Sequence, residues 1–79
     1  MGARLVFLGR LQDVAGAVEL TVAPGPLELV LAQLPAELAL ALCDERVRRA
    51  LNGELLGDVG SVVLGEGDEL AFLPPVSGG

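Results

Sequence analysis

GDELAFLPPVSGG (residues 67–79) is a turn, a strand, a stop and a tail in succession. The acidic, Gly-rich run Gly65–Asp68 reads as a turn, and Glu69–Leu73 as the strand that leaves it. Side chains alternate across a strand, so Leu70 and Phe72 share one face and Ala71 and Leu73 the other. Both faces are apolar. Pro74 and Pro75 cannot donate to a ladder, so pairing is expected to end at Leu73. Their rings hold φ near −65°, and the chain should leave stiff and extended. Residues 74–79 can reach ~20 Å. Val76 offers an apolar anchor, while Ser77, Gly78 and Gly79 are slim enough to thread a narrow channel. The expectation is a body at 1–73 and a tail at 74–79 whose terminal carboxylate, with no side chain on its α-carbon, is presented as a substrate. A partner's nucleotide site could activate it and a nucleophile could displace the activating group.

The strand needs neighbours. RLVFL (Arg4–Leu8) is short, branched and apolar, with Leu5 and Phe7 on one face and Val6 and Leu8 on the other. GRLQDVAG follows: Leu11, Val14 and Ala15 predict one or two helical turns closed by Gly16 as a left-handed cap. AVELTV alternates, with Val18, Leu20 and Val22 opposite Glu19 and Thr21. From Pro26, placed at the first helical position, Leu27, Val30, Leu31 and Leu34 form one apolar stripe, which Pro35 should end. AELALALCDE predicts a second short helix. VRRALNGELL reads as a hairpin, because Asn52-Gly53 supplies the two positive-φ residues of a type I′ turn. GDVGS (57–61) reads as loop, and VVL as a short apolar piece.

Strand, strand, helix, then strands is the element order of an α+β ubiquitin-like β-grasp: a small mixed sheet with one main helix and short extra helices. One main helix covers one face. The set holding both phenylalanines should fill the core, leaving Leu8 and Leu73 on the open face as a partner-binding patch beside the tail.

Composition narrows the function. The chain has 79 residues and a net charge of −6. All five cations are Arg, and there is no His. One small domain follows. Such acidity disfavours nucleic acid and suits a basic protein partner. Without His there is no His-based catalysis and no His metal site. The lone Cys43 cannot form an internal disulfide, the start has no signal-peptide plan, and the longest apolar run, Leu38–Cys43, is too short for a membrane. These features predict a soluble cytoplasmic protein with no membrane contact and no bound cofactor or metal. Cys43 reads as a small buried hydrophobe rather than a sulfur-handling thiol. Glu66, Asp68 and Glu69 read as a solvated turn available for electrostatic docking rather than a metal site, since the calcium-loop pattern is absent. Arg46, Arg48 and Arg49 read as one cluster balancing nearby acids. Arg49 in particular marks a strand edge or a pairing charge.

The segments VFLGRLQDVAG, NGELL and GEGDELAFLPPVSGG resemble the small subunit of molybdopterin synthase, a ubiquitin-like sulfur carrier. The ending is the specific part, because Gly-Gly alone is common to such carriers. The resemblance implies that an ATP-dependent activating enzyme adenylates Gly79, so that ATP is used there and not bound here. A sulfur donor then provides a C-terminal thiocarboxylate. The tail would insert into the large subunit of the synthase, whose side chains catalyse, and sulfur would pass to a cyclic pyranopterin precursor. Gly79 would carry the sulfur, and Gly78, Ser77, Val76, Pro75, Pro74, Leu73 and Leu8 would contact the partner. Two alternatives remain open: a carrier for thiazole or tRNA thiolation, and a protein modifier or docking module.

Overall fold

The computed structural model describes residues 2–56 and 62–75. Seven strands and three short helices follow in the order β1 (Ala3–Phe7), α1 (Leu11–Ala15), β2 (Glu19–Val22), β3 (Gly25–Pro26), α2 (Leu27–Leu31), α3 (Ala36–Leu42), β4 (Arg48–Leu51), β5 (Glu54–Leu55), β6 (Val63–Leu64) and β7 (Glu69–Leu73). Five of the strands form one sheet in the order β2-β1-β7-β4-β5. Its central pair, β1 and β7, runs parallel, and every other neighbour is antiparallel. β3 and β6 pair separately. This is the ubiquitin-like β-grasp fold.

The central pair carries the packing. Register sets Leu5 beside Leu70 and Phe7 beside Phe72, and all four are fully buried. The two rings stack with centroids 5.9 Å apart and planes 11° from parallel. Such a pair adds ~0.5–1.5 kcal/mol to what its buried area contributes. Leu11, Val30, Leu38 and Leu42 close the same core from the helices, with Val22, Val47, Val62 and Leu64 at its margins. The bulkier face thus lies under the helices, as alternation requires.

Each helix shows one buried side. On α3, Leu38 and Leu42 are one turn apart and buried, while Leu40 between them is 75% exposed. The period-two look of Leu38, Leu40 and Leu42 is therefore incidental to an i, i+4 pair. On α1, Leu11 is buried, Val14 is exposed, and Gly16 caps at φ 72° with its N–H donating to the Gln12 carbonyl. Cys43 is exposed, not buried. It caps α3 one residue past Leu42, rotated off the core-facing side.

The placing of Pro26 and the bounds of the first strand are corrected, while the end of the helix ahead of Pro35 is as expected. Pro26 is not the first helical residue but the cap before it, with ψ 145°. Its carbonyl-side neighbour Leu27 donates to the Val62 carbonyl at 2.8 Å. A proline suits that place because the β3–β6 ladder asks nothing of its missing N–H. The helix also stops before Pro35. Gln33 and Leu34 donate to the carbonyls three residues back, so the last turn tightens ahead of the proline. The first strand runs one residue earlier than Arg4–Leu8, and Leu8 leaves the ladder while still donating to the Phe72 carbonyl at 3.1 Å. The loop reading of 57–61 falls outside the described residues. Asn52 and Gly53 take φ 51° and 86°, as the type I′ hairpin needs.

Candidate functional site: the open sheet face and the root of the tail

The face away from the helices is built by the alternate set. Across the sheet, register lines up Glu19, Val6, Ala71, Ala50 and Leu55 in one row. The row before it holds Thr21, Arg4 and Glu69. The row after it holds Leu73 with Arg48, and Leu8, which follows Val6 by two, extends it on the β1 side. The open face is therefore polarised. Its start is ionic; its end, where β7 leaves the sheet, is apolar. Leu8 is 38% exposed, Leu55 is 60% exposed, and Leu73, Val6, Ala71 and Ala50 are half-buried.

Leu8 and Leu73 are brought together at that apolar end, as alternation predicts. Val6 and Ala71 share that surface by the same alternation, while Leu55 and Ala50 belong to it and were not foreseen. The signal was present: a two-residue Asn52-Gly53 turn fixes Ala50 opposite Leu55, which places Leu55 on the face of Ala71 and Leu73.

Strand pairing ends at Leu73, before the prolines. Pro74 does not swing free. A methyl group built on Gly9 would lie 2.9 Å from Pro74 Cγ, and Gly9 sits at φ 56°. Glycine at position 9 lets the loop after β1 press against the proline ring, so the tail starts in a defined direction. Pro74 and Pro75 are both half-buried. Val76, Ser77, Gly78 and Gly79 lie outside the described residues.

The opposite end of the sheet is closed by its own polar groups. Arg4 bridges Glu69 at 2.7 Å and Glu19 at 3.4 Å. Glu66 accepts from the Gly2 N–H at 2.6 Å. Asp68 accepts from the Gly65 N–H at 2.8 Å and from Asn52 Nδ2 at 3.2 Å, and these two bonds hold its carboxyl below the usual range. Asn52 Oδ1 in turn accepts from the Glu69 N–H. The three acids of the turn are thus engaged in holding the fold. No group of three or more His, Cys, Asp and Glu side chains among the described residues could hold a metal ion. No helix among them is long and apolar enough to cross a membrane.

The profile of the ThiS family matches residues 5–79. No curated protein matches the chain. Among solved structures, small archaeal modifier protein 1 from Methanosarcina acetivorans is similar, with TM-score 0.71 and 23% identity over 98% of this chain and 95% of that one. The crystal structure of the Haloferax volcanii counterpart gives TM-score 0.70 and 27% identity, covering 98% of both chains. Another crystal structure of the Haloferax volcanii protein gives 0.66 and 23%, covering 94% and 97%. A β-grasp body and a family match running through Gly79 lead to one assignment: the chain belongs to the ThiS family of ubiquitin-like sulfur carriers.

Proposed function

We propose that this chain is the sulfur-carrying small subunit of a molybdopterin synthase. The observation that carries the reading is the root of the tail: β7 ends at Leu73, and Pro74 is seated on Gly9 at the apolar end of an uncovered sheet face. The ending PPVSGG then supplies the reactive terminus. A Gly79 carboxylate oxygen attacks the α-phosphorus of ATP on an activating enzyme, and pyrophosphate leaves. A donor sulfur displaces AMP from the acyl carbon, giving a thiocarboxylate. The tail then enters the large subunit, where this sulfur displaces an oxygen from a carbon of the pyranopterin precursor to give a thioester. Water then cleaves the acyl–sulfur bond, leaving the sulfur on the precursor and returning Gly79 as a carboxylate. A thiocarboxylate is nucleophilic at neutral pH without an adjacent base, so a chain with no His or Lys can serve. Docking makes the transfer effectively intramolecular. The open face around Leu8, Leu73 and Leu55 is the surface that the large subunit covers, and the role is a cytoplasmic one.

The likeness to small archaeal modifier protein 1, at 27% identity over nearly the whole of both chains, favours a second reading. In it the activated Gly79 carbonyl is transferred to an amine of another protein. Intact mass after incubation with an activating enzyme, ATP and a sulfur donor separates the two. The carrier reading expects one sulfur-for-oxygen exchange at Gly79, and transfer of that sulfur to the precursor by the assembled synthase. Deleting Gly79 should abolish both while leaving the melting temperature unchanged. Sulfur delivery by the truncated chain, or an amide to a partner lysine as the sole product, would overturn it.

A further inference from the structure

The five arginines divide into two groups that sequence does not separate. Arg4 is held by Glu19 and Glu69. Arg46 is held by Asp44, which accepts from its backbone N–H, Nε and Nη2 at 2.9, 3.2 and 3.0 Å. Among the described residues these are all the ion pairs there are, so Arg10, Arg48 and Arg49 have none.

Register and sequence place those three arginines near the end of β7. Arg48 pairs in register with Leu73, the last residue of β7, and belongs to the open face. Arg49 pairs with Phe72 and belongs to the helix face. Arg10 follows Gly9, the residue against which Pro74 rests. The strand end is thus bracketed by a cation on each face of β4 and a third beyond β1. Arg49 carries a second mark. Its Nε is the one buried side-chain nitrogen or oxygen among the described residues with no hydrogen-bond partner. A buried guanidinium N–H without an acceptor costs stability that a bound acceptor restores. In a chain of net charge −6, cations with no ion-pair partner among the described residues at one strand end are a local inversion of the overall field.

We infer that Arg10, Arg48 and Arg49 form a cationic collar at the root of the tail, which docks onto carboxylates lining the mouth of the protein cleft that the tail enters. The inference rests on the proposed function and specifies its partner surface. That surface is acidic at the cleft mouth, while the −6 body favours basic ground around it. Guanidinium forks match carboxylates in bidentate geometry. Long-range attraction between collar and rim would act mainly on the association rate.

The test uses the full chain with the activating enzyme and the synthase large subunit encoded by the same genome, following association by stopped flow across ionic strengths. The double variant R10E/R48E should associate about tenfold to a hundredfold more slowly with at least one of them, at unchanged melting temperature. Its rate should rise with salt where that of the wild type falls. Arg49→Met, which keeps the stem, should raise the dissociation rate, and Arg49→Lys should restore it in part. Arg4→Gln and Arg46→Gln should associate as the wild type does. Equal rates for R10E/R48E and wild type overturn the collar. So does saturable, arginine-dependent binding of ATP alone, which would make a phosphate the ligand. Arginine-dependent association of a chain that never gains sulfur sustains the collar and overturns the carrier reading. A wild-type chain that binds neither protein overturns both.

Discussion

The two ends of the sheet treat their charges differently. Where β7 begins, Arg4 joins β2 to β7 through Glu19 and Glu69, and Glu66, Asp68 and Asn52 tie the turn to neighbouring backbone. Where β7 ends, apolar side chains stay partly open and three arginines have no ion-pair partner among the described residues. Among the described residues, one end has completed its interactions inside the chain and the other has not. Partly uncovered apolar area and the exposed charges of Arg10 and Arg48 cost a monomer little, since each stays wet, whereas the buried Nε of Arg49 carries a cost of its own. Both become favourable only when a partner removes the water. Where a fold leaves its polar groups unmatched is thus informative about where it binds.

The largest effect should come from the point that joins strand to tail. Gly9→Ala puts a side chain at φ 56° and within 2.9 Å of Pro74 Cγ. The left-handed conformation alone costs about 1–2 kcal/mol for a residue with a Cβ. In a domain this small that lowers the melting temperature by about 5–15 °C. Activation of Gly79 should fall by more than the unfolded fraction explains, because the relaxed loop redirects Pro74. A variant with the expected melting shift and wild-type activation would show that Gly9 serves the fold only.

Asn52→Gly perturbs the other end and should do about half as much. Glycine keeps the positive φ of the hairpin but loses the bonds to Asp68 and the Glu69 N–H. A loss of about 1 kcal/mol is expected, near the net worth of an exposed polar pair of this kind. Association with either partner should not change. If it slowed, the two ends would be coupled and the contrast between them would lose its meaning.

What could be read in advance follows the range of the interactions. The hairpin, the α1 cap and the halt at Pro74 are settled by a few adjacent residues, and each is legible. The assignment of Phe7 and Phe72 to the core needs only alternation and bulk. The β3–β6 pair was not legible: two residues per strand give no period, and Pro26 reads more naturally as helical. Cys43 was missed because an Ala/Leu helix conceals where its core-facing side ends. The sorting of the arginines was out of reach for a deeper reason. Arg46, Arg48 and Arg49 are one cluster in sequence, yet Asp44 occupies the first while register sends the other two to opposite faces. Charge pairing between strands is tertiary information.

Asp44 gives the subtlest test, since it is what separates Arg46 from the collar. The side-chain bond from Arg46, then the bond from its backbone N–H, lower the Asp44 carboxyl from an ordinary 3.8 to about 2. Asp68 is lowered at the far end by the Gly65 N–H and Asn52. Both folded-state values lie below the unfolded ones, so each carboxylate adds stability that is fully present above about pH 4 to 5. The Asp44 share is lost as pH falls toward about 2, and the Asp68 share as pH falls through its own lowered value. Both groups stay in contact with solvent, so the acid limb of the stability curve should be shallow, and chemical denaturation between about pH 5 and pH 2 measures it. Asp44→Asn should flatten that limb in part and leave the share from Asp68. At neutral pH the same change frees Arg46 beside the strand that bears Arg48 and Arg49. If unpaired charge is what the tail end offers a partner, the variant should associate slightly faster than the wild type, with a steeper fall in salt. An unchanged rate would mean that position, not pairing, decides which arginines a partner meets.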